Sequence, residues 1–150
     1  MGEREKATRF FLIGEIMPKE ATVHWTKVWD KRILITADRL RERYGPMLCN
    51  TYVFGGNHQF RGWRPWKCSV GATYSQHKFG RAIDLEPVQV TVNEIHADMR
   101  RRGREIPAFE YVGRVEDAPG MTWLHVDICM ITFPIISMTP LDSDIYFFKP

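Results

Sequence analysis

Ser75-Gln76-His77-Lys78-Phe79-Gly80-Arg81-Ala82-Ile83-Asp84 joins two kinds of sequence within ten residues. Its first half has no apolar alternation and reads as loop, whereas Arg81 to Val88 reads as a strand. Gly80, at the junction, permits a tight turn that a side chain would resist. His77 then lies just before the strand and Asp84 lies on it, so both can point at one ion. A later stretch, Trp123-Leu124-His125-Val126-Asp127, reads as another strand, and the two-residue period puts His125 and Asp127 on the same face. A catalytic zinc site takes three ligands from His, Asp, Glu or Cys and leaves one position for water. His77, Asp84, His125 and Asp127 are the residues of these two stretches that could supply such ligands.

Outward from these stretches the chain reads as a mixture of helices and antiparallel-looking strands. Ile33, Ala37, Leu40 and Tyr44 recur at helical spacing after Asp30, which can cap the start, and Gly45-Pro46 ends the run. Leu48 to Phe54 alternates around Cys49, Thr51 and Val53 and is expected to be a strand, broken by Gly55-Gly56-Asn57. Residues 55–76 form a long irregular segment rich in Gly, Arg and Trp, and a loop of that length in a small domain is usually functional. Thr91-x-x-Glu94 is a capping box that opens a helix through about Arg102, with Val92, Ile95 and Met99 on its buried face and Gly103 at its end. Phe109 to Val115 and Trp123 to Met130 are expected as two further strands, and Ile131 to Pro150 as strand and loop. Residues 1–28 show no clear pattern. No βαβ rhythm is present, so the expected class is α+β, a small antiparallel sheet flanked by helices. Without internal repeats or Gly/Ser linkers, residues 1–150 read as one domain.

The composition excludes several functions. The chain has 150 residues, 44% hydrophobic and 26% charged, which suits a globular domain and not disorder. A net charge of +3 falls short of a nucleic-acid-binding balance. Arg100-Arg101-Arg102 with Arg104 closes a helix, where the macrodipole favours cations, and reads as a solvated helix end. No run approaches the length of a membrane span; Ile128 to Ile136 is the longest apolar stretch, and Pro134 interrupts it. Phe10-Phe11-Leu12-Ile13-Gly14 is too short for a secretory core and is cut by Glu15. The expected location is therefore cytoplasmic until release. Cys49, Cys68 and Cys129 lack CxxC spacing and are expected to be reduced, Cys49 and Cys129 as small core residues on strands.

The ordered pattern Ser75-x-His77-x-x-Gly80-x-Ala82-x-Asp84, followed by His125-x-Asp127, resembles the zinc peptidases of the D-Ala-D-Ala carboxypeptidase and L-alanyl-D-glutamate endopeptidase type. That superfamily shares the Hedgehog signalling-domain fold. The resemblance is strong over residues 75–84, good over 121–129 and loose from Asp30 to Arg64. It implies zinc bound by His77, Asp84 and His125, and an arginine from the loop before the first motif that holds substrate oxygens. Arg61 and Arg64 are the matching candidates, since a guanidinium forks onto a carboxylate or a developing oxyanion. It also implies hydrolysis of an amide in the peptide part of bacterial peptidoglycan. The style of the motif and the lack of a signal suggest a phage-type lysin, either free in the host cytoplasm before release to the wall or part of the virion, with other virion proteins as partners.

The sequence departs from the pattern at one place. Many relatives carry Glu or Asp three residues before the last zinc His, as general base, and here that residue is Thr122. Asp127, Glu116 and Asp117 are the carboxylates available to replace it, and Asp127 can alternatively orient a zinc ligand from behind. A non-catalytic metal-binding or virion module is the rival reading, motivated by Thr122 and by the apolar Tyr146-Phe147-Phe148, which could dock on a partner. His24, His58 and His96 lack motif context; His96, on the capped helix, is expected to be solvated or half-buried. Trp63, Trp66 and Tyr74 either line a groove for sugar or peptide or pack the long loop down.

Overall fold

The computed structural model describes residues 2–129, 135–138 and 145–147. Among the described residues three α-helices, α1 (Ile13–Ile16), α2 (Lys31–Tyr44) and α3 (Val92–Arg102), accompany six strands. The strands are β1 (Met47–Leu48), β2 (Ala82–Pro87), β3 (Arg114–Glu116), β4 (Leu124–Asp127), β5 (Ile136–Met138) and β6 (Ile145–Phe147). They form one sheet in the order β1-β2-β4-β3-β5-β6, antiparallel at every pairing except β3 with β5. The class is α+β, as expected, with one parallel pair inside a largely antiparallel sheet.

Both long helices begin and end where local chemistry dictates. The Asp30 carboxylate accepts from the Arg32 N–H at 3.0 Å, and Gly45, at φ +85°, closes α2. On α3 the Thr91 hydroxyl accepts from the Glu94 N–H at 3.2 Å while the Glu94 carboxylate accepts from the Thr91 N–H at 2.7 Å. Ile33, Ala37 and Leu40 of α2 and Ile95 and Met99 of α3 are buried in one apolar cluster with Phe11, Ile16 and Phe109. His96 is buried as well, its Nδ1 3.6 Å from Asp117 Oδ1, contrary to the expectation of a solvated or half-buried ring.

The central pair β2–β4 decides where the chemistry sits. Its register sets Ile83 opposite Val126 and Leu85 opposite Leu124, all four fully buried. Alternation then turns the intervening residues to the other face, where Asp84 lies opposite His125 and Ala82 opposite Asp127. Each buried aliphatic contributes about 1.5–3 kcal/mol. A one-residue slip would exchange the two faces, so core burial also holds the polar pair in register.

Three expected strands are shorter than the alternation suggested. In place of a strand over Leu48 to Phe54, β1 stops at Leu48 and a 3₁₀ turn occupies Tyr52–Phe54. The buried side chain of Asn50 draws the chain aside: its Nδ2 donates to the Met17 carbonyl at 3.0 Å and its Oδ1 accepts from the Arg61 N–H at 3.0 Å. Of the stretch Phe109 to Val115, Phe109 closes a 3₁₀ turn, Pro107–Phe109, and only Arg114 and Val115 are strand, in β3. Proline favours that turn, and the Arg104 guanidinium takes the Val112 carbonyl at 2.7 Å. β4 ends at Asp127, whose Oδ1 captures the Cys129 N–H at 2.9 Å. Cys129 is accordingly half-buried beyond the strand, Cys49 is buried just after β1, and all three cysteines are free. Of the C-terminal tail, β5 and β6 are described; Phe148 and the side chains of Tyr146 and Phe147 lie outside the described residues. Among the described residues no helix is long and apolar enough to cross a membrane.

Candidate metal centre

His77 sits in a 3₁₀ turn, Gln76–Phe79, that Ser75 caps by accepting from the His77 N–H at 3.4 Å. Gly80 ends the turn at φ +65°, and a Cβ there would lie 1.8 Å from the Val28 carbonyl oxygen. Both the conformation and the closeness require glycine. The Gly80 carbonyl accepts from the Asp30 N–H at 3.0 Å, tying the turn to the start of α2. The His77 Nδ1–H donates to the Gly62 carbonyl at 2.8 Å, which leaves the Nε2 lone pair available to a metal ion.

Asp84 divides its carboxylate between two tasks. Oδ2 accepts from Arg64 Nη2 at 3.0 Å, while Oδ1 lies 3.2 Å from His77 Nε2 and 2.7 Å from His125 Nδ1. The two imidazole nitrogens are 3.4 Å apart. Zinc bonds of about 2.0–2.2 Å in tetrahedral geometry place ligand atoms roughly 3.3–3.6 Å from one another. Two of the three separations, 3.2 and 3.4 Å, stand near that spacing, while His125 Nδ1 and Asp84 Oδ1 are at hydrogen-bond distance, 2.7 Å; the residues are only 1%, 7% and 5% exposed for His77, Asp84 and His125. The buried group can hold a metal ion.

Behind the three donors is a second layer. His125 Nε2–H points at Asp127 Oδ2, 3.4 Å away. Asp127 is fully buried, and Arg114 holds both its oxygens, Nε at 3.0 Å from each and Nη2 at 2.8 Å from Oδ2. Burial alone would raise the Asp127 carboxyl, but the hydrogen bonds from His125 and Arg114 keep it below the usual carboxylate value. Burial alone would likewise lower His125, yet hydrogen bonds to Asp127 and Asp84 raise it to about 10. Asp84 is held far below the ordinary range: burial opposes this, and the charges and hydrogen bonds of His77 and His125 outweigh it. The cluster thus favours positive charge beside its carboxylates, from a proton on His125 or from a cation in its place.

The site opens on a cleft of about 490 Å³ lined by Arg64, Val70, Tyr74, His77, Glu116 and Trp123, among others. A cavity of about 310 Å³ adjoins it, sharing Arg64, Val70, Asp84 and Trp123 and adding Arg61 and His58. Glu116 follows Arg114 and Val115 in a register that pairs them with Asp127 and Val126, so it comes beside His125; its Oε1 is 4.0 Å from Nδ1.

The structure therefore sorts the residues singled out from sequence. His77, Asp84, His125, Arg64 and Asp127 come together. Asp127 lies at the Nε2 side of His125, away from the Nδ1 that faces Asp84, a position suited to orienting the ring and poorly suited to a base. Arg61 stands at the margin, its Nη1 bonded to Glu86 at 2.8 Å and its carbonyl accepting from the Asp84 N–H at 2.8 Å. Asp117 is elsewhere, paired with Arg100 at 2.7 Å, and Thr122 is exposed. Arg114 was not anticipated; the period-2 partnership of Arg114 and Glu116 with Asp127 and His125 was its only signal. Trp63 is buried and packs the loop, while Trp66 and Tyr74 are exposed. The chain matches no protein-family model, no curated protein and no solved structure.

Proposed function

We propose that the chain is a zinc metallopeptidase that hydrolyses an amide in the peptide part of bacterial peptidoglycan, on the Hedgehog-like fold its motifs resemble. The observation that carries this reading is the convergence of His77 Nε2, Asp84 Oδ1 and His125 Nδ1 on one point at the edge of an open cleft. Zinc, when bound, lowers the pKa of water toward neutrality and polarises a carbonyl. His, Asp and His match its preference for nitrogen and carboxylate donors, and three ligands suit a catalytic site better than a closed structural one.

The chain's own groups take the remaining roles. Glu116 lines the cleft beside His125, and its carboxylate has no hydrogen bond among the described residues. It accepts a proton from the attacking water at Oε1 and returns it to the departing amine nitrogen. Arg64 positions Asp84, since its three N–H contacts go to Asp84, Phe60 and Val70. Arg61, with one side-chain bond to Glu86 and a place in the adjoining cavity, holds a substrate oxygen. Arg114 and Asp127 lock the His125 ring. The rival, a non-catalytic metal-binding or virion module, draws on Thr122; Glu116 answers it by bringing an acid from the neighbouring strand. A phage-type lysin, acting from the host cytoplasm after release or as a virion component, is the biological setting this chemistry fits.

The test is release of free amino groups from purified peptidoglycan by zinc-loaded protein. No release at full zinc occupancy, or an unchanged rate in His77→Ala, would overturn the proposal.

A further inference from the structure

β3 meets the cleft through its last residue, Glu116, and that residue is the least secured of the three. Arg114 and Val115 pair with β4 on one edge and with β5 on the other, whereas Glu116 pairs with Met138 of β5 alone. The chain then enters a turn in which the Met121 N–H donates to the Ala118 carbonyl at 3.2 Å and Pro119 and Gly120 are exposed. A strand end that runs into an exposed turn is where local opening begins. A fixed position for the Glu116 carboxylate therefore calls for an anchor beside it.

Asp117 supplies one. Consecutive side chains of an extended chain point to opposite faces, so with Glu116 turned to the cleft, Asp117 turns to the side of Val115, which shares the core with Ile95 and Met99 of α3. There α3 presents His96 and Arg100, four residues apart and so neighbours on the helix surface. Arg100 Nη2 donates to Asp117 Oδ2 at 2.7 Å, and His96 Nδ1 stands 3.6 Å from Asp117 Oδ1. Each carboxylate oxygen thus faces a different residue of one helix. His96 is 1% exposed, so packing holds its ring in place. The Arg100 pair adds little to stability, because both side chains are partly exposed. Its consequence is position.

We propose that Asp117, clamped to α3 by Arg100 and His96, is a positioning residue that holds Glu116 beside His125 in the cleft. This rests on the reading of Glu116 as general base. A reacting group displaced by about 1 Å loses up to about 10²-fold in rate.

Asp117→Ala tests the proposal in zinc-loaded protein, with Glu116 intact and with Glu116→Gln. The first readout needs no turnover: the backbone order parameter at residue 116, from ¹⁵N relaxation, is about 0.85 in the wild-type protein and below about 0.6 in Asp117→Ala. The second is kinetic. Asp117→Ala lowers kcat on sacculi about tenfold, with KM and zinc per chain within about twofold. Asp117→Asn, which keeps an oxygen for Arg100, restores most of the rate. In the Glu116→Gln background Asp117→Ala changes kcat by less than about twofold, because the group it positions has already lost its function. Arg100→Ala, at an exposed position, moves both readouts in the same direction and serves where Asp117→Ala does not fold. An order parameter that stays at about 0.85 in these variants overturns the proposal. So does an equal loss of kcat in both backgrounds, which makes Asp117 a residue of the fold alone. Should Glu116→Gln run at the wild-type rate, the base reading fails by itself, and the order parameter still decides the clamp.

Discussion

Glu116→Gln separates chemistry from architecture at this site. The substitution keeps the shape of the side chain and removes its charge. Because the Glu116 side chain is 18% exposed and its carboxylate makes no hydrogen bond among the described residues, folding stability should change by less than about 0.5 kcal/mol. Its nearest charged neighbour is His125, 4.0 Å away, so the loss of negative charge weakens cation binding somewhat, and zinc per chain has to be measured alongside the rate. Removing a general base lowers turnover by about 10²–10⁴, which is about 2.7–5.4 kcal/mol at 1.36 kcal/mol per tenfold. The assay is the initial rate of amino-group release from sacculi at saturating zinc, with thermal unfolding as the control for fold. A variant that holds one zinc per chain and retains more than a tenth of the wild-type rate refutes the assignment of Glu116 as base.

Asp127→Asn gives the opposite pattern: zinc affinity falls about 10–100-fold, while kcat at saturating zinc changes little, as a competition titration with a chelator will show. Zinc binding is coupled to protons. His125 in the metal-free protein carries a proton up to about pH 10, and the ion takes the deprotonated ring, so affinity rises with pH through the neutral range and binding releases a proton; calorimetry in two buffers of different ionisation enthalpy measures the count, and zero protons released contradicts the charge balance described. Ile83→Ala, at a fully buried position between Asp84 and Ala82, costs about 2–5 kcal/mol in urea unfolding and, by loosening β2, lowers zinc affinity too; a loss under 1 kcal/mol would mean the pair β2–β4 is not held by that core.

Elements with strong local signals were legible before the fold was known. Asp30 with Gly45 bounded α2, and the reciprocal bonds of Thr91 and Glu94 opened α3, because caps act within four residues of themselves. The strand ends were not legible. Asn50 leaves its strand for partners at residues 14–17 and 61–62, and the Arg104 guanidinium claims the Val112 carbonyl. Contacts that span tens of residues leave no mark on apolar alternation.

For the site, the sequence alone determined the donor set. Ser75, His77, Gly80 and Asp84 constrain one another across a single turn and strand, and His125 and Asp127 share a face by the two-residue period. Which carboxylate faces the chemistry was a tertiary matter. The β3–β4 register brings Glu116 next to His125 and sets Arg114 on Asp127, locking one acid behind the ring and leaving the other in the cleft. That pairing is between strands, and its physical reason is the burial of Val115 against Val126, which settles the register and with it the neighbour of every polar residue on the opposite face.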